Sequence, residues 1–97
     1  MKALDEIKGI IGQHRKVLAD KYGVAVLAIF GSYVRDEQEK ESDIDLLVEI
    51  LRPISLLELA GAEIYLSDVL EAKVDLVPKR SVREELKEMI LREAVAL

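Results

Sequence analysis

Two apolar runs in this chain are separated by twelve residues that begin Gly31-Ser32 and end on Ser42. That spacing limits the fold more than any other feature. The first run, Val24-Ala25-Val26-Leu27-Ala28-Ile29-Phe30, has the length and apolar continuity of a strand covered on both faces. The second opens with Asp43-Ile44-Asp45 and continues Leu46-Leu47-Val48. Side chains two apart on a strand share a face, so the Asp43 and Asp45 carboxylates are expected together. Such a pair is costly to hold together without a cation between its members. A hard divalent ion with oxygen ligands fits, and Mg²⁺ is typically held by one or two carboxylates plus substrate phosphates. The glycine-containing turn beside them allows a phosphate chain to approach the backbone.

The remaining elements follow from periodicity. Residues 3 to about 21 place Leu4, Ile7, Ile11, His14 and Leu18 at helical spacing, and Gly23 follows as a stop. Residues 31 to 38 read as a turn with a short helix, and residues 37 to 42 as a charged loop. Ser55 and Glu58 have the spacing of a capping box opening a helix that runs to about Leu70. Val74 to Val77 is a short strand stopped by Pro78. Ser81 and Glu84 repeat the capping spacing before a last helix aligning Val82, Leu86, Met89, Ile90, Glu93 and Leu97.

The expected class is α/β (α+β), a small three-stranded mixed sheet flanked by helices, with residues 1–97 as one domain. The short link between strands one and two permits antiparallel neighbours, and the helical crossover between strands two and three suits a parallel pair. This topology would gather Gly31, Ser32, Asp43, Asp45 and Asp75 at one end of the sheet. Asp75 is an acid inside a short apolar strand, a placement rare unless the carboxylate is paired or metal-bound. Two Mg²⁺ ions held about 3.5–4 Å apart by three such groups can clamp the attacking and leaving oxygens of a phosphoryl displacement.

Composition closes other routes. The chain carries a formal net charge of −5, unsuited to general nucleic-acid binding, which depends on neutralising phosphates. It has no cysteine and one histidine, so disulfide frameworks and Cys/His zinc sites are excluded. Its apolar runs are strand-length, short of a membrane span, and the acidic N-terminal segment is unlike a signal peptide. The expected setting is cytoplasmic. His14 and the tyrosines Tyr22 and Tyr65 read as packing residues. Lys79 and Arg80 read as solvated charges, with phosphate or an acceptor protein as the other option.

Gly31-Ser32, ten intervening residues, Asp43-Ile44-Asp45 and the acid in Val74-Asp75-Leu76-Val77 together resemble the signature of nucleotidyltransferases related to DNA polymerase beta. The similarity covers nearly the whole chain and is to the minimal nucleotidyltransferase (MNT) branch. Such proteins are commonly encoded beside a HEPN-domain RNase toxin and act as its antitoxin. The resemblance implies an ATP- and Mg²⁺-dependent transfer of AMP to a tyrosine of that toxin. It implies metal binding and catalysis by Asp43, Asp45 and Asp75, and nucleotide contacts from Gly31, Ser32, Arg35 and Ser42. Tyr33 and Asp36 stand where many members have a basic residue and a glycine, and residues 36–41 are acidic apart from Gln38 and Lys40. An antitoxin that neutralises by contact alone is therefore the second reading, and a small-molecule nucleotidyltransferase the third. Homodimer and hetero-oligomer both stay open.

Overall fold

The computed structural model describes residues 3–30 and 44–96, with the side chains of residues 85, 86, 89, 91, 93 and 95 excepted. The elements in chain order are α1 (Leu4–Gln13), α2 (Arg15–Val17), a π turn (Leu18–Tyr22), β1 (Val24–Phe30), β2 (Ile44–Ile50), α3 (Leu56–Leu70), β3 (Val74–Pro78), a 3-10 turn (Lys79–Ser81), α4 (Glu84–Glu93) and β4 (Val95–Ala96).

The sheet order is β3-β2-β1-β4. β1 and β2 run antiparallel, and β2 and β3 run parallel through the α3 crossover, giving the expected three-stranded mixed core of the sheet. β4 adds a two-residue ladder on the outer edge of β1, pairing Ala28 with Ala96 and Ile29 with Val95. The ladder between β1 and β2 shifts between Val26 and Ala28, leaving Leu27 as the extra residue of a bulge. The shift moves the second half of β1 into a new phase. Ile29 then shares the core face with Leu46, while Phe30 and Asp45 share the other.

One sheet face is dry. Val24, Ile29, Ile44, Leu46, Val48, Val74 and Leu76 pack there against Ile7 and Ile11 of α1, Leu18 of the π turn, and Ala62, Leu66 and Leu70 of α3. These α3 residues recur every four positions, as one buried helix stripe requires. On the opposite face Leu47 lines a small concavity with Val82, Lys87 and Ile90, which puts α4 on that side.

The helix ends follow their chemistry. Ser55 and Glu58 form the full capping box, with Glu58 N donating to Ser55 Oγ at 3.1 Å and Ser55 N donating to Glu58 Oε1 at 3.2 Å. The second Ser-x-x-Glu does not cap. Ser81 closes the 3-10 turn, and Arg83 stands at the N-cap of α4 with no side-chain cap bond. The last helix also stops at Glu93, short of the expected continuation to Leu97, because Ala94 turns extended and the chain pairs with β1. The first helix is interrupted at His14. There the His14 ring hydrogen-bonds the Tyr65 hydroxyl, with the two rings edge to face at 5.3 Å. Tyr22 stacks at a tilt on Tyr65, so these three residues pack as expected.

Candidate active site

The site is built at the end of the sheet where β1 finishes and β2 starts. Asp45 is the second residue of β2 and Asp75 the second residue of β3. Parallel pairing sets the two directly opposite each other, in a register that also aligns Ile44 with Val74 and Leu46 with Leu76. The apolar neighbours on either side face the core, so both aspartates face away from it. Adjacent strands lie about 4.8 Å apart, close enough for two carboxylates to reach one ion. Phe30, the last residue of β1, pairs with Asp45 across the antiparallel ladder. The outward row across the three strands is thus Phe30, Asp45, Asp75. Both aspartates are partly buried, as is Phe30.

The α3 crossover makes this alignment. Ser67 Oγ, near the C-terminal end of the helix, accepts from Val74 N at 3.2 Å. Ile44 N donates to Lys73 O at 2.9 Å. These two bonds fix where β3 begins relative to α3 and β2, and a one-residue slip would turn Asp75 to the core face. Glu71, in the left-handed conformation at φ 55°, supplies the sharp exit from α3 that brings the chain back into the sheet.

Among the expected site residues, Asp45 and Asp75 are brought side by side. Asp43, Gly31, Ser32, Arg35 and Ser42 lie outside the described residues. Among the described residues no group of three or more His, Cys, Asp or Glu side chains is arranged to hold a metal. The described donors are the Asp45–Asp75 pair, and their all-oxygen chemistry fits a hard cation such as Mg²⁺.

Further along the same sheet face, Lys79, Arg80 and Lys87 line an open concavity of about 330 Å³ with Glu49 and Ile50. Lys87 has no distinguishing sequence signal. It joins the group only because α4 folds over the sheet. Among the described residues no helix is long and apolar enough to cross a membrane.

Comparison with known proteins bears on the same elements. The family described as the nucleotidyltransferase domain matches residues 11–97. The protein adenylyltransferase MntA of Thermococcus cleftensis is 41% identical over 95 residues, covering 98% of this chain and 96% of its own. A solved structure described as a candidate minimal nucleotidyltransferase superposes with a TM-score of 0.73 at 32% identity, covering 94% of this chain and 95% of that one. A solved complex of a tri-AMPylated Shewanella oneidensis HEPN toxin with MNT antitoxin matches with a TM-score of 0.64. Its identity is 22%, over 93% of this chain and 70% of that one, a likeness of fold alone. With nine-tenths of its length matched, and with two facing carboxylates at the mouth of a mixed sheet, the chain belongs to the nucleotidyltransferase domain family.

Proposed function

We propose that this chain is an antitoxin of the MNT type that transfers AMP from ATP to a tyrosine hydroxyl of a HEPN-domain RNase toxin. The observation that carries the reading is the in-register pairing of Asp45 with Asp75 at the sheet end where Gly31-Ser32 follows β1. Full-length similarity to a named protein adenylyltransferase supports the protein acceptor, and the fold shared with an MNT antitoxin bound to an AMPylated HEPN toxin supports the partner.

In this reading Asp43, Asp45 and Asp75 hold Mg²⁺. The metal, when bound, neutralises phosphate charge and lowers the pKa of the attacking hydroxyl. Gly31 and Ser32, which follow β1 in the chain, seat the triphosphate, and Arg35 and Ser42 add contacts to it. The tyrosine oxygen forms a bond to the α-phosphorus as the α–β phosphoanhydride bond breaks, and pyrophosphate leaves with that electron pair. The tyrosine proton passes to a nearby carboxylate or to solvent, with Asp75 the acceptor in place of its ligand role if it does not complete the metal shell. Phe30 provides an apolar wall beside Asp45, which limits water at the reacting centre.

The test combines the purified chain, the HEPN-domain protein, ATP and Mg²⁺, with intact-mass spectrometry of the partner. A mass gain in units of AMP, lost with Asp45→Asn and with Asp75→Asn, is the expected result. A partner that is inhibited yet unmodified identifies neutralisation by contact and overturns the catalytic reading.

A further inference from the structure

α3 is apolar nearly all the way round, although only one stripe of it is buried. Its sequence, Leu-Leu-Glu-Leu-Ala-Gly-Ala-Glu-Ile-Tyr-Leu-Ser-Asp-Val-Leu, faces the core through Ala62, Leu66 and Leu70. On the other side Leu56 and Leu57 are each 85% exposed and Ile64 is 63% exposed. Leu57, Ala60, Ile64 and Asp68 fall at helical spacings of three and four on one outward line, with Leu56 flanking it. Glu58 and Glu63 project to either flank of this line. A surface helix ordinarily puts charge on this side.

We propose that the outward face of α3 is a self-association surface on which two copies of this chain pair antiparallel about a two-fold axis near Ala60. The face is self-complementary. Leu57 and Ile64 lie equally far from its midpoint, so a two-fold axis there sets Leu57 of each copy against Ile64 of its mate. The small Ala60 at the centre lets the helices approach to the usual ~8–10 Å. The charges at the ends agree. Arg52 is held beside the N-terminus of α3 by Glu58 Oε2 at 3.4 Å and by the carbonyl oxygens of Asp20 and Lys21 at 3.4 and 3.3 Å. Asp68 is exposed near the C-terminal end. Antiparallel pairing carries each Asp68 to the mate's Arg52, whose five-donor guanidinium has N–H groups beyond those taken by Glu58 and the two carbonyls. Two-fold symmetry makes that contact twice. Six large apolar side chains in total make a small interface by the standard of about 20–30 residues a side, so the dimer is weak and reversible.

Sedimentation equilibrium of the chain alone, from low micromolar to near-millimolar concentration, tests the pairing. The expected result is a reversible monomer–dimer equilibrium that Ile64→Glu weakens at least tenfold, with helical circular dichroism unchanged. The chain has no cysteine, so Ala60→Cys places a single thiol near the axis. It should form an intermolecular disulfide much faster than Glu49→Cys, an exposed site on the sheet. A monomer at every concentration, a dimer indifferent to Ile64→Glu, or equal cross-linking rates for the two cysteine variants would each overturn the proposal. Protection of α3 from hydrogen exchange only after a HEPN-domain protein is added would overturn it as well, and would assign the face to that partner.

Discussion

Replacing Gly23 with alanine should destabilise this protein by roughly 2–3 kcal/mol, although the same change elsewhere in the chain should stabilise it. Gly23 joins the π turn to β1 at φ 67°, in the left-handed region. An alanine there costs roughly 1–2 kcal/mol on backbone sterics alone. The new Cβ would also meet Ile54 Cγ2 at 2.9 Å and Arg52 Cγ at 3.0 Å. Ile54 can shift, but Arg52 bridges the carbonyls of Asp20 and Lys21 to Glu58 and would lose that alignment. The Gly23 carbonyl also accepts from Leu51 N at 2.9 Å, so displacement of the turn disturbs the far end of β2. Gly9 is the control. It lies within α1 with nothing within 4 Å of an added Cβ, so Gly9→Ala should stabilise by roughly 0.5–1 kcal/mol. Urea unfolding of both variants measures the pair. In heat, the Gly23 change corresponds to a fall in Tm of roughly 10–20 °C for a domain of this size. A Gly23→Ala protein as stable as the wild type would mean that neither the left-handed backbone nor the Arg52 contact at this turn carries the expected cost.

Further expectations concern the core and the cap. Leu66, fully buried between α3 and the sheet, should lose roughly 2–5 kcal/mol on replacement by alanine, read from the urea midpoint at constant m. Ser55→Ala should cost about 1 kcal/mol through loss of the α3 cap, and a cycle with Glu58→Gln should be non-additive because the two residues cap each other. The Glu58 carboxyl is held below its ordinary value, first by the Ser55 backbone N–H, with Arg52 and the Ser55 hydroxyl adding to that against an opposing desolvation. A pKa lowered by folding means a contribution that is present above the ordinary carboxylate range and lost as pH falls through the lowered value. Glu58→Gln should therefore flatten the acid limb of the stability–pH curve without steepening it, as followed by chemical denaturation across that limb.

Much of this fold was legible because strand and helix signals here are strong and agree with one another. The apolar runs at Val24–Phe30 and Ile44–Ile50 mark two strands, and the Ser55–Glu58 box locates α3 to the residue. The gathering of Asp45 and Asp75 at one end of the sheet also follows from sequence, through the inference that a helical crossover makes β2 and β3 parallel, whereas their direct pairing comes from the register. What stayed hidden depends on tertiary geometry. The Ser81–Glu84 spacing is the same local signal as Ser55–Glu58, yet Ser81 is held in a 3-10 turn that follows Pro78, so its hydroxyl is not at the helix start. The apolar periodicity continuing past Glu93 reads as helix, but the unpaired edge of β1 offers backbone partners that turn residues 95 and 96 into a strand. The bulge at Leu27 has no glycine or other marker, and only the pairing partner reveals it. The outward leucines of α3 look like core in the sequence, because periodicity shows which residues are apolar and not which of them find cover.

The proposed chemistry requires Asp45 and Asp75 to act as joint ligands of one divalent ion. Mn²⁺ titration followed by electron paramagnetic resonance, with ATP present, measures this directly in the wild type, Asp45→Asn, Asp75→Asn and the double variant. Shared coordination predicts that each single change weakens Mn²⁺ binding at least tenfold and that the double variant loses little more than either. Wild-type affinity in Asp75→Asn would contradict it.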